Sequence, residues 1–174
     1  MARWIVTGPP GAGKTTVLTR LAERGYAVVS EAARAEIAAR RARGLPPRPD
    51  LQSFVRALLA RDEAAWDGSG EGTVLFDRGL ADTLGAALGL GLVDEDGVRE
   101  ALAQRPFETR ALYFPPWAEI YHTDAERDQT WTEAVTVDAM VRRFYERFGI
   151  ELLEIPRDTV DARAVRVAAI VGPP

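Results

Sequence analysis

The stretch GPPGAGKTT, residues 8–16, matches the spacing G-x-x-x-x-G-K-S/T in full through Gly8, Gly13, Lys14 and Thr15. It follows RWIVTG (3–8), a short apolar, β-branched run that ends at a glycine and reads as a buried strand. It precedes KTTVLTRLAERG, where Val17, Leu18, Leu21 and Ala22 recur at helical spacing and Gly25 supplies a stop. A strand, a glycine-rich turn and a helix N-terminus in that order make a phosphate cradle. Gly8, Pro9, Pro10, Gly11, Ala12, Gly13, Lys14, Thr15 and Thr16 are therefore the expected phosphate contacts. Backbone N–H groups turn inward, the helix dipole adds positive potential, Lys14 reaches the β- and γ-phosphates, and Thr15 places its hydroxyl on Mg²⁺.

The rest of the chain alternates strands with helices. YAVVS (26–30), TVLFD (73–77), ALYFPP (111–116) and IELLEI (150–155) read as further strands. Helices are expected over 31–44, from an N-cap at Asp50, after FDRG, after Val93, over 132–148 behind a Thr130–Glu133 capping box, and over 159–171. WAEIYHTDAERDQ reads as polar and irregular. This pattern predicts a three-layer α/β fold with a five-stranded parallel sheet flanked by helices. Residues 1–174 read as one domain, with no repeat, low-complexity tract or interdomain linker.

Composition narrows the partners. A net charge of −4 gives no reason to expect nucleic acid or an acidic membrane surface. No apolar run approaches the roughly 20 residues that span a bilayer, and the phosphate loop starts too early for a signal peptide, so a cytoplasmic protein is expected. The absence of cysteine excludes disulfides, thiolate metal sites and a cysteine nucleophile. There is one lysine, Lys14, beside twenty-one arginines, and no asparagine. A guanine-specific switch of the N-K-x-D type therefore has no residues to use. A large remodelling ATPase is also disfavoured: Arg78, not glutamate, follows Asp77, and no second, helical domain is expected within these 174 residues.

FDRG has a different chemistry. Asp77, at the end of the third strand, is placed to hold Mg²⁺ directly or through water, as Thr15 is from the loop. Arg78 beside it is suited to neutralising charge on a transferring phosphoryl group. A surface ion pair at a strand end is the plainer alternative. On the helix after Asp50, Asp62 continues the apolar face of Leu51, Val55, Leu58 and Leu59, where an unpaired carboxylate is costly. It either pairs with an arginine or hydrogen-bonds a polar acceptor substrate. Gln52 and Arg56 border the same face.

DRG after the third strand resembles the Asp/Glu-Arg-Ser/Gly element of deoxynucleoside and thymidylate kinases. The phosphate loop, SEAAR, FDRG, LYFPPWAEIY and ERDQTWTEA together resemble small AAA domain-containing ATPases or kinases, related to NadR-type ribosylnicotinamide kinases. The resemblance covers residues 3 to 160. It implies a kinase-like fold with a lid at about 118–132, in which Arg127 stabilises the transition state, or Arg142 or Arg143 in its place. It also implies Glu31 as general base with Arg34 contacting acceptor or phosphate, although Glu31 in a first helical turn has a structural explanation too. The adenine is expected near 156–160. The expected protein is a monomer or homodimer that transfers the γ-phosphate of ATP, with Mg²⁺, to an unidentified small-molecule acceptor bearing a hydroxyl or phosphate. Lys14, Glu31, Asp77, Arg78 and Arg127 form its catalytic set, and Arg34, Gln52, Arg56 and Asp62 its acceptor set. A regulatory ATPase acting through a protein partner, and a plain hydrolase, are the alternatives.

Overall fold

The computed structural model describes residues 2–122 and 130–174. Five strands form one sheet: β1 (Ala2–Thr7), β2 (Ala27–Val29), β3 (Thr73–Asp77), β4 (Arg110–Tyr113) and β5 (Glu151–Glu154). Every pairing is parallel and the order is β2-β3-β1-β4-β5. β1 is thus central, with Val6 opposite Asp77 on one side and Leu112 on the other. That register brings the end of β3 beside the residue that enters the phosphate loop.

Among the described residues seven helices cover the two faces: α1 (Lys14–Ala22), α2 (Ala32–Ala42), α3 (Leu51–Asp67), α4 (Leu80–Gly89), α5 (Glu95–Gln104), α6 (Trp131–Arg147) and α7 (Val160–Val171). Alternation along β1 feeds two cores. Trp4 and Val6 pack with Val17, Leu21 and Val167 of α1 and α7, while Ile5 packs with Leu80, Leu84, Phe144 and Tyr145 of α4 and α6. Burial on both faces explains why these strands read as apolar runs rather than alternating ones. Among the described residues no helix is long and apolar enough to cross a membrane.

Local signals placed the helix starts well. Asp50 accepts a hydrogen bond from the Ser53 N–H, Thr130 and Glu133 form the expected capping box, and Thr159 accepts from the Ala162 N–H. Strand ends shifted for identifiable reasons. β1 stops at Thr7 because Gly8 adopts a φ of 130°, and a Cβ there would lie 2.2 Å from the Phe114 carbonyl oxygen. Only glycine lets the loop cross β4 so closely. β4 stops at Tyr113; the Phe114 N–H still donates to the Thr7 carbonyl, but Pro115 and Pro116 have no N–H to continue the ladder. Among the described residues of the polar stretch after Pro116, Ala118–Ile120 forms a 3₁₀ turn.

Candidate active site

The C-terminal ends of the strands open onto a cavity of about 1000 Å³, bounded by the phosphate loop, α2, α3, α4 and the start of α7. Open parallel sheets bind ligands at this edge. Lys14 is 6% exposed, and its Nζ donates to the carbonyls of Gly8 (3.0 Å) and Pro9 (2.8 Å). Burial, reinforced by the nearby Arg78, draws its pKa down to about 7 against the opposing pull of Asp77, Glu31 and Asp82. The Thr15 hydroxyl donates to Asp77 Oδ2 at 2.7 Å, whereas Asp77 Oδ1 is buried with no hydrogen-bond partner among the described residues. A hydroxyl and a carboxylate with an uncommitted oxygen, side by side at the loop, suit a hard cation such as Mg²⁺. No group of three His, Cys, Asp or Glu among the described residues would hold a metal alone. Such a cation would share its coordination with phosphate oxygens and water.

Arg78 is the one described non-glycine residue in the left-handed region, with φ at 71°. That conformation costs about 1–2 kcal/mol and persists only where surroundings enforce it. Its backbone N–H donates to the Val6 carbonyl at 2.9 Å. The guanidinium lies between two carboxylates, with Nε 3.1 Å from Glu31 Oε1 and Nη1 3.9 Å from Asp82 Oδ1. The shorter contact is out of line for a hydrogen bond, and Nε is buried without one. Glu31 also meets Arg34 Nε at 3.4 Å. Burial alone would raise the Glu31 pKa; Arg78, Lys14 and Arg34 outweigh it and hold the carboxyl below the usual range.

Asp82 was not anticipated. It accepts from the Thr7 hydroxyl (2.6 Å) and from the Tyr145 hydroxyl (2.9 Å), and so joins β1, the Arg78 turn and α6. Burial raises its pKa, and Arg78 offsets part of that rise. No helical spacing marked it: Arg78, four residues earlier, stands outside α4 with a left-handed backbone.

The four expected acceptor residues separate. Arg34 and Asp62 line the cavity; Gln52 and Arg56 are exposed on the outer side of α3 and do not. Of the apolar residues of α3, Val55 is buried, while Phe54, Leu58 and the 60% exposed Leu51 line the cavity. Among the described residues Asp62 pairs with no arginine. It is 5% exposed and accepts from the Thr83 hydroxyl at 2.6 Å. Burial raises its pKa to about 7, with Thr83 opposing, and Asp82, Glu31 and Glu63 adding to the rise. Folding therefore favours the protonated form, and stability falls as pH rises from 3.8 towards 7. A rise of this size corresponds to at most about 4 kcal/mol. Asp62→Asn should accordingly raise the melting temperature at pH 8 by about 5 °C and change it little at pH 4. Equal shifts at both pH values in thermal denaturation would show that Asp62 ionises alike in the folded and unfolded chains, so that burial does not raise its pKa.

Beyond the loop, Trp117, Ile120, Asp158, Thr159, Val160 and Arg163 form the other wall, at the place expected for a base. Arg127 and the rest of 123–129 lie outside the described residues. Arg142 is engaged elsewhere: Nε donates to Asp138 Oδ2 (3.0 Å) and Nη2 to the Tyr113 hydroxyl (2.6 Å).

A central strand, a glycine loop and a helix in a 2-3-1-4-5 parallel sheet define a three-layer P-loop domain of kinase-like fold. The AAA domain family matches residues 3–163, and the chain belongs to it. Its fold is similar to that of deoxyadenosine kinase from M. mycoides with the products dCMP and dCDP bound. That match has a TM-score of 0.64 at 13% identity, over 97% of each chain. It is also similar to shikimate kinase from Acinetobacter baumannii in complex with shikimate, with a TM-score of 0.61 at 21% identity, over 98% of this chain and 93% of that one. No curated protein matches the chain.

Proposed function

We propose that the chain is an ATP-dependent phosphotransferase that moves the γ-phosphate to a small acceptor bearing a hydroxyl or a phosphate. One observation carries this reading: a desolvated guanidinium, Arg78, stands at the junction of the phosphate loop and the acceptor half of the cavity with none of its side-chain N–H groups hydrogen-bonded among the described residues. It is held by charge alone, so its donors are free for equatorial phosphoryl oxygens. Phosphoryl transfer through a loose transition state needs positioned positive charge more than covalent assistance.

On this reading the loop N–H groups and Lys14 bind the triphosphate. Glu31 orients the acceptor and takes its proton, and Arg78 neutralises the phosphoryl group as it moves. Thr15 and Asp77 would hold Mg²⁺, which when bound supplies charge neutralisation between the β- and γ-phosphates. The acceptor lies among Arg34, Asp62, Phe54 and Leu58, so it combines an apolar body with polar edges. The whole chain acts as one domain, with about 118–132 as a lid and Arg127 as its cation.

The test is incubation with labelled ATP and Mg²⁺ against deoxynucleosides, deoxynucleoside monophosphates, shikimate and other polyols. A labelled product from one of these supports the reading. If every acceptor leaves ATP turnover at background while a protein binds only the ATP form, the regulatory alternative replaces it. Lys14→Ala should weaken ATP binding by about tenfold or more, read by titration calorimetry.

A further inference from the structure

Arg163, on the first turn of α7, is a buried cation without a counter-ion. It is 3% exposed, and no carboxylate among the described residues forms an ion pair with it. Its Nη2 donates to the Ala12 carbonyl at 2.8 Å, and its Nε is buried with no acceptor. The guanidinium lies over the rings of Phe114 and Trp117, 4.4 and 5.4 Å from their centroids. Burial alone draws the pKa down to about 10, so the charge is present at neutral pH.

Two aromatic faces offset part of the desolvation, yet a charge and a donor remain uncompensated in a low-dielectric wall, which is costly. A methionine of similar length would fill the space between those rings without stranding either. The placement tells what the charge faces. A Cβ on Gly13 would stand 2.8 Å from Arg163 Nη1, so the guanidinium rests on the backbone directly before Lys14. It lies against the outer side of the cradle and lines the same cavity.

We propose that the polyphosphate of the bound nucleotide is the counter-ion of Arg163, whose charge reaches the donor site through the loop backbone at Ala12 and Gly13. This rests on the nucleotide-binding half of the function above and not on phosphoryl transfer. Across a water-poor loop a charge is felt far more strongly than in bulk solvent.

The experiment measures binding of ATP, ADP and adenosine to the wild type, Arg163→Met, Arg163→Gln and Arg163→Lys, with the melting temperature of each. Arg163→Met should weaken ATP and ADP by about tenfold, leave adenosine unchanged, and keep or raise the melting temperature. Arg163→Gln, which keeps a planar donor for the Ala12 carbonyl without the charge, should behave alike, and Arg163→Lys should recover most of the affinity. A folded Arg163→Met that binds ATP within about twofold of wild type overturns the proposal, as do equal losses for ATP and adenosine, which would mark a base contact. If the Met variant does not fold, the Gln variant decides by the same criterion. A wild type that binds no ATP would instead refute nucleotide binding, and this inference with it.

Discussion

Glu31→Gln is expected to lower phosphoryl transfer by about 10²–10⁴-fold while leaving ATP affinity equal to wild type or slightly better. The carboxylate stands two residues past β2 and one before α2, where the helix dipole also favours an anion. Its side chain makes no capping hydrogen bond and instead turns to Arg78 and Arg34. Those two cations and Lys14 hold its pKa below the usual range, and in the proposed mechanism the carboxylate would accept a hydrogen bond from an acceptor hydroxyl and take its proton as the phosphoryl group arrives. Glutamine preserves volume and a hydrogen-bonding oxygen but not the charge. Removing an anion near Lys14 and Arg78 does not oppose triphosphate binding, so the loss should fall on kcat with the KM for ATP nearly constant. Steady-state kinetics with an acceptor that the wild type phosphorylates checks this. Unchanged transfer with an altered melting temperature would return Glu31 to a structural role.

The parts legible in the sequence were those written in short-range chemistry. The phosphate loop, its strand and its helix follow from spacing alone, and Asp50, Thr130 and Thr159 mark helix starts through hydrogen bonds made within three residues. Strand alternation with helices implied the parallel sheet, but not that β3 inserts between β1 and β2. That order brings Asp77 to Thr15, and periodicity carries no record of it. Asp82 escaped notice because its partners, Thr7 and Tyr145, come from 75 residues before and 63 after it. Arg163 escaped because a lone arginine in an amphipathic helix normally reads as a solvated charge. Gln52 and Arg56 border the face of α3 that Leu51, Phe54, Leu58 and Asp62 present to the cavity, and a border position does not tell which of its two sides is exposed.

Arg78→Lys is expected to cost transfer about 10²–10³-fold, although it keeps a positive charge at the same position. An ammonium is a single point on a flexible stem, while the guanidinium is a planar fork whose separate nitrogens meet Glu31 and Asp82 and still present free donors. Lysine should therefore pair with one carboxylate at a time, preserving ATP binding within a few-fold but failing to bridge loop and acceptor. Arg78→Met should cost as much transfer and also stability, because it removes the cation between the half-buried Glu31 and the more deeply buried Asp82, leaving Arg34 beside Glu31. Both folded pKa values would then move up, since Arg78 is the largest favourable charge on each. A raised carboxylate pKa makes stability decline as pH climbs through it, so the Met variant should melt progressively earlier than the Lys variant between pH 5 and pH 8. Parallel melting curves for the two across that range would show that Arg78 does not neutralise this pair. Full transfer activity in the Lys variant would show that charge, not the fork, is what the reaction uses.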